Sequence, residues 1–457
     1  YSSINNHYWG GLLSSYNHKI NNNFDLASGI DLRTYRGEHY REVYDLLGGD
    51  YYAGSLGSGS KNSVGENSSN LILREGDKMY YHNDGLVRWY GAFGQLEYNY
   101  KDISAFINVT GSQTLYKRVD YFKKQDLVLS DTIFTQAIGI NDTIIYNGKE
   151  YTSDSKETRY TETNWEKFPG FTFKTGANWN IDESNNIFVN SGILSKAPRF
   201  NNVFNYDNET YFNTKNEIVK AIEFGYGYKS NKFSLNLNIY NTAWENKPQS
   251  GTTVLDGGET ASYNINGINA LHQGIELDFA WKISKSFKYE FLSSIGNWRW
   301  NSGDTVNFYL NQQLIESDYF DARGVSVGDS PQTQIGSSVS YNYKLSKNTR
   351  GYIKLKGIYS DRFFSDFDPF TLNEEKTVWQ IPGYALFSLH MGQNIYFKDS
   401  SINLKLNVLN LFNTTYISDA QNNSSYVEDS PMNSDASSAS VFFGMPRRII
   451  ASIEYKF

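Results

Sequence analysis

Along this chain apolar and polar residues alternate one by one in segment after segment, and the connections between segments switch between a few residues and many. Residues 401–408 show the unit: Ile402, Leu404, Leu406 and Val408 fall on one face, Asn403, Lys405 and Asn407 on the other. A period of two is the period of a strand. The same rhythm sets Phe24, Leu26, Ile30 and Leu32 against Asp25, Asp31 and Arg33, and Phe233, Leu235, Leu237 and Ile239 against Ser234, Asn236, Asn238 and Tyr240. It recurs where Ile275, Leu277 and Phe279 oppose Glu276 and Asp278, and where Ile353 and Leu355 oppose Lys354 and Lys356. Charged side chains spaced in this way require one face of each strand to be wet. The segments run about 10–14 residues, whereas a soluble strand has about five or six and a tilted bilayer-crossing strand about 9–11.

The connections point the same way. Short turns are expected at residues 20–23, 101–102, 182–185, 230–232, 284–286, 345–348 and 398–400. Long polar stretches lie between them, at 37–86, 117–166, 198–215, 245–267, 301–330, 361–377 and 413–445. Short turns at one end and long loops at the other are the pattern of a transmembrane antiparallel β-barrel, and a soluble sandwich has no reason to follow it. The expected fold class is therefore all-β.

Composition agrees once the wet face is counted. Mean hydropathy is only −0.55, and no stretch approaches the roughly 20 apolar residues a membrane helix needs. A lumen-facing half of each strand lowers hydropathy without removing the apolar half. Aromatics are dense, with 36 Tyr, 29 Phe and 9 Trp, and the pairs Tyr98/Tyr100, Tyr341/Tyr343 and Tyr396/Phe397 sit at strand ends, where an interfacial girdle is expected. A net charge of −7 without a basic stripe argues against nucleic acid as a partner. With no cysteine there is no disulfide, thiol nucleophile or zinc knuckle. The chain opens on Tyr1 without a signal peptide, which suggests a processed or truncated chain.

Strand counting gives about fifteen, an odd number. Bacterial single-chain barrels are even-stranded, and a free edge in lipid is costly. The first strand, near residues 7–18, runs in the same direction as the last. The expectation is that residues 1–457 are the C-terminal part of a larger barrel.

Three stretches resemble one family. Residues 186–228 contain Lys196-Ala197-Pro198, Asn216-Glu217 and Glu223-Phe224-Gly225. These resemble the mid-barrel phrases of TonB-dependent outer-membrane receptors, with Lys196 in place of the usual Arg and the proline of the second phrase missing. Residues 406–416, LNVLNLFNTTY, resemble the family's penultimate-strand phrase, and the closing MPRRIIASIEYKF resembles its last strand, which ends in Phe. The phrasing looks most like receptors of the Bacteroidetes type. The resemblance implies a barrel of about 22 strands with a plugged lumen, whose plug, signal peptide and roughly seven strands are absent from this chain. It implies outer-membrane lipid, the TonB–ExbB–ExbD system acting through the missing N-terminal part and the barrel-assembly machinery as partners, with a surface lipoprotein left open. It implies no cofactor, no resident metal and no covalent chemistry. The sequence itself shows no G-x-S-x-G elbow and no H-E-x-x-H.

Residues that could bind or signal lie at the strand ends. Trp244, Trp298, Trp300, Phe363 and Phe364 stand where strands run into long connections, as substrate-binding candidates. Loop packing competes with that role for each of them. Tyr455 and Phe457 close an outward face and resemble the family's barrel-assembly signal. His390 shares a face with Ser388 and Asn394, which suggests hydrogen bonding in the lumen. Asp361, Asp366 and Asp368 lack the spacing of a calcium loop.

What the resemblance implies is energised import through an outer-membrane transporter. A ferric chelate or a peptide is the favoured cargo, with oligosaccharide and cobalamin open. The competing expectations are a passive channel of 14–16 strands and a scaffold component of an outer-membrane complex.

Overall fold

The computed structural model describes residues 1–53, 72–122, 125–134, 143–152, 155–159, 161–204, 210–211, 214–254, 260–310, 313–365, 378–422 and 439–457. Fifteen long strands carry it: β1 (Ser2–Lys19), β2 (Phe24–Glu42), β3 (Lys78–Tyr100), β4 (Ile103–Asp120), β5 (Glu166–Asn180), β6 (Asn185–Lys196), β7 (Glu217–Lys229), β8 (Phe233–Val254), β9 (Thr260–Lys282), β10 (Phe287–Trp300), β11 (Thr333–Ser346), β12 (Thr349–Asp361), β13 (Tyr384–Tyr396), β14 (Ser401–Leu409) and β15 (Arg448–Lys456). Each pairs antiparallel with the next in chain order. Three shorter segments, Thr161–Glu162, Gly303–Leu310 and Gln313–Asp321, join the same sheet. Among the described residues no pairing links β1 to β15, so the sheet has two free edges.

All seven short turns fall where alternation places them, at one end of the sheet. The turn between β5 and β6 shows how such a reversal is fixed. The Asp182 carboxylate accepts from the Asn185 side chain at 2.9 Å and from the backbone N–H groups of Ser184 and Asn185 at 2.7 and 2.8 Å. Those hydrogen bonds, from the Asn185 amide first, hold its pKa below the usual carboxylate value. This is the local bonding by which Asp and Asn favour turns.

Register turns the alternation into two surfaces, because directly paired residues share a face. One row runs Phe24, Tyr98, Ala105, Ala177, Val189, Phe224, Ile239, Ile275, Ile295 from β2 to β10. Its Val, Ile and Phe224 side chains are exposed, as side chains facing hydrocarbon must be. The neighbouring row runs Asp25, Glu97, Phe106, Gly176, Asn190, Glu223, Tyr240, Gly274, Gly296 and forms the polar wall. On that wall Glu290 accepts from Lys288 at 2.5 Å, Lys354 at 2.7 Å and Ser338 at 2.9 Å. His390 bonds Asn407 at 2.8 Å, the hydrogen-bonding role expected of it. At the short-turn end the outward face carries linked rings: Tyr228–Phe233–Phe279–Phe291 and Phe287–Tyr341–Tyr343, with centroids 4.6–6.1 Å apart. This is the aromatic girdle.

Several inward rings lie flat on a glycine of the neighbouring strand, the device that lets a large ring cover an exposed stretch of backbone. Phe188 covers Gly225, Phe106 covers Gly176 and Tyr240 covers Gly274. A Cβ at Gly225 would collide with the Phe188 ring, so the glycine of the Glu223-Phe224-Gly225 phrase has a packing reason. Gly225→Val is expected to cost about 1–3 kcal/mol by driving Phe188 off the wall. Urea unfolding in detergent checks this, and an unchanged midpoint would refute the packing role.

Two expectations needed correcting. Strands reach 23 residues in β3 and β9, well beyond what a bilayer requires, so they project past it at the long-loop end. The stretches 245–267, 301–330 and 413–445 are not plain loops. The first continues β8 and β9 past register shifts between Trp244 and Lys247 and between Lys247 and Gln249. The second forms the hairpin Gly303–Leu310/Gln313–Asp321, which adds to β9 through Ser262–Tyr309 to Ile265–Val306. The third holds the hairpin Ile417–Asn422/Ala439–Phe443.

Candidate functional site

The long-loop end gathers the side chains that could meet a ligand. Lys196 closes β6 and Glu217 opens β7, and the two are register partners. Their ion pair measures 3.4 Å, with Glu217 buried. The second Glu217 oxygen accepts the Trp244 indole N–H at 2.9 Å. Asn216 donates to the Pro169 carbonyl at 2.6 Å and to the Ser195 hydroxyl at 2.8 Å. The phrases Lys196-Ala197-Pro198 and Asn216-Glu217 thus form one polar clasp at the root of their loop. An Arg would pair Glu217 with a rigid fork where Lys196 presents a point charge.

The first residues of that loop turn inward. Phe200 sits against Gly85 and 5.6 Å from the Tyr116 ring, on the polar-wall side of the sheet. Val203, Phe204 and Phe168 pack with them, and the Tyr116 hydroxyl donates to the Pro198 carbonyl at 3.0 Å.

The structure divides the five aromatic candidates into two groups. Trp300 is buried in an apolar cluster with Ile265, Ile268, Val306, Phe308, Phe320 and Val325, and Trp244 packs against that cluster. The Lys247 ammonium lies 5.7 Å from the Trp244 ring and 5.2 Å from the Trp300 ring, within cation–π range. Trp298 is half-buried on the same face, donates to the Tyr240 hydroxyl at 2.9 Å and lies 5.6 Å from the His272 ring. Phe363 belongs to a second buried cluster with Ile381 and Ala420, while Phe364 beside it is half-buried. Between the groups stands Gln332, which bonds the Trp298 backbone on both sides, at 3.0 Å each. Arg362 donates to the Gly296 carbonyl at 2.8 Å and to the Gln332 amide oxygen at 3.2 Å.

Tyr240, His272, Gln332 and Arg362 were not singled out from sequence. Tyr240 and His272 carry a signal, because each is a ring among the polar members of an alternating strand. Gln332 and Arg362 lie in connections and carry none. Asp366 and Asp368 lie outside the described residues, and among the described residues no three His, Cys, Asp or Glu side chains converge as metal ligands. Tyr455 and Phe457 lie exposed at the end of β15, ring centroids 6.0 Å apart. The arrangement offers half-buried rings, a few fixed dipoles and a guanidinium at the long-loop end.

The model of a family described as TonB dependent receptor-like, beta-barrel matches residues 1–411. Three similar solved structures are the copper transporter OprC, the ferric yersiniabactin uptake receptor FyuA from Yersinia pestis and the ferric citrate transporter FecA. OprC is 11% identical with a TM-score of 0.60, over 99% of this chain and 57% of that one. FyuA is 12% identical at 0.58, over 100% and 55%, and FecA 10% identical at 0.58, over 99% and 55%. This chain therefore spans little more than half the length of each, and at such identities the likeness is one of fold. No curated protein matches the sequence.

Proposed function

The chain belongs to the TonB-dependent receptor β-barrel family, and from that premise we propose that it is the C-terminal part of an outer-membrane importer whose long connections face the outside. The single observation that carries this reading is the segregation of all seven long connections, with their rings and ion pairs, to one end of an amphipathic sheet. Such an end captures a ligand, and a wet wall below it lets the ligand pass. The two free edges support a larger closed barrel, because unpaired strand edges in hydrocarbon are strongly unfavourable.

The cargo class favoured is a ferric chelate or a peptide. Half-buried Trp298 and Phe364 give flat apolar contact, and Tyr240, His272 and Arg362 beside Trp298 supply polar groups. The neighbouring folds named for ferric yersiniabactin and ferric citrate favour the chelate. Energy would come from the TonB system acting on a plug inside the lumen.

Growth of a deletion strain tests this, with ferric chelates supplied one at a time as the only iron source. The expected result is failure on one chelate, restored by the gene. Wild-type growth on every chelate with loss of growth on peptides would transfer the cargo to peptides. Wild-type growth on both panels would refute import.

A further inference from the structure

We propose that His7 and His39, with the Tyr35 hydroxyl between them, form a binding site for a divalent transition metal, copper(II) foremost, on the lumenal wall near the long-loop end of β1 and β2. The site stands apart from the rings described above and does not depend on the import reading.

Register brings the residues together. His7 pairs with Gly37, Asn5 with His39 and Trp9 with Tyr35, so all six share one face. It is the face of Asp25, Asp31 and Arg33, opposite the outward row of Phe24, Ile30 and Leu32. The His7 and His39 ring centroids are 6.1 Å apart at 79°. His7 Nδ1 lies 2.6 Å from the Tyr35 hydroxyl. The room between them exists because residue 37 is glycine: a Cβ there would lie 2.5 Å from the Tyr35 hydroxyl and 2.8 Å from His39 Nε2. The Tyr35 oxygen and His39 Nε2 therefore border the space above a residue that has no side chain, and His7 Nδ1 adjoins the Tyr35 oxygen.

Hydrogen bonding prepares them for a metal. His39 Nδ1 is 2.7 Å from the Asn5 amide oxygen. That oxygen only accepts, so Nδ1 carries the proton and Nε2 presents its lone pair over Gly37. A ligating histidine characteristically donates its other nitrogen to such an outer oxygen, which fixes tautomer and ring orientation. His7 Nδ1 and the Tyr35 hydroxyl share a hydrogen bond of 2.6 Å, which sets the second imidazole beside the same space. Two imidazole nitrogens, a phenol oxygen and water form a mixed nitrogen–oxygen set, which suits tetragonal copper(II), and copper(II) binds most tightly of the first-row divalent ions. Arg118, the cation in the same row, stands beyond Gly85, two strands from Gly37.

The test titrates copper(II) into the full-length protein in detergent, followed by calorimetry and electron paramagnetic resonance. The expected result is one site with hyperfine coupling to two nitrogens. His7→Gln/His39→Gln should lose that signal, Asn5→Ala should weaken binding about tenfold, and His18→Gln, on the opposite face, should change nothing. Footprinting with diethyl pyrocarbonate on the unaltered protein gives a reading that needs no variant: copper should protect His7 and His39 and leave His18 reactive. Unprotected His7 and His39, or an unchanged spectrum in the correctly folded double variant, would overturn the site. Protection by zinc or nickel without copper binding would overturn the copper assignment.

Discussion

Trp300→Ala is expected to melt the projecting arm of β8, β9 and the hairpin Gly303–Leu310/Gln313–Asp321 while leaving the sheet below it folded. Trp300 is 6% exposed, and the cluster around it is built from β9, the hairpin and the segment leading to Val325. Removing a ring of that size from a closed core costs about 3–5 kcal/mol. A cluster this small cannot spread the loss. The Lys247 ammonium loses one of its two rings as well. Amide exchange checks the result: protection should collapse over the arm and persist where β10 pairs with β11. Unchanged protection at Ile265 and Phe308 would show that the arm does not depend on this core.

Ile275→Arg is expected to act on the whole molecule. Ile275 is half exposed in the outward row, flanked by Ile239 and Ile295 in register. An arginine at hydrocarbon depth costs a barrel about 2–4 kcal/mol, against near zero at the interfaces. Glu276→Arg, one residue along, places the same charge on the wet wall and provides the control. Folding into lipid vesicles should fall sharply for the first and little for the second. Equal behaviour would mean that the two faces are not apolar and wet as assigned.

Most of the architecture could be read from the chain because period-two alternation needs no knowledge of distant residues. The reversal at Asp182 and the outward row through Phe224, Ile239 and Ile275 depend on neighbours in sequence and on one register rule. The phrases around Lys196, Glu217 and Gly225 could be recognised, yet their physical content was hidden. The clasp needs Trp244, and Gly225 needs Phe188, each brought by a neighbouring strand.

The arms were harder to see. Val306, Phe308 and Phe320 are scattered among Asn, Ser, Asp and Gly, and they make a core only when 260–270 and 301–325 meet in space. A loop is polar on average even when a few apolar residues decide its shape. The ring candidates suffered from the same distance problem. Trp298 and Trp300 share one face of β10, so sequence spacing could not separate half-buried Trp298 from Trp300, which is buried by a cluster drawn from distant segments.

The unequal connections also have a mechanical meaning. Links as short as Lys101 and Asp102 tie neighbouring strands at the sheet spacing of about 4.8 Å, so along that rim the joined strands cannot spread apart. The connections at the opposite rim are long and impose no such spacing. Insertions or substitutions in the long connections would leave the strand spacing at the short-turn rim unaltered.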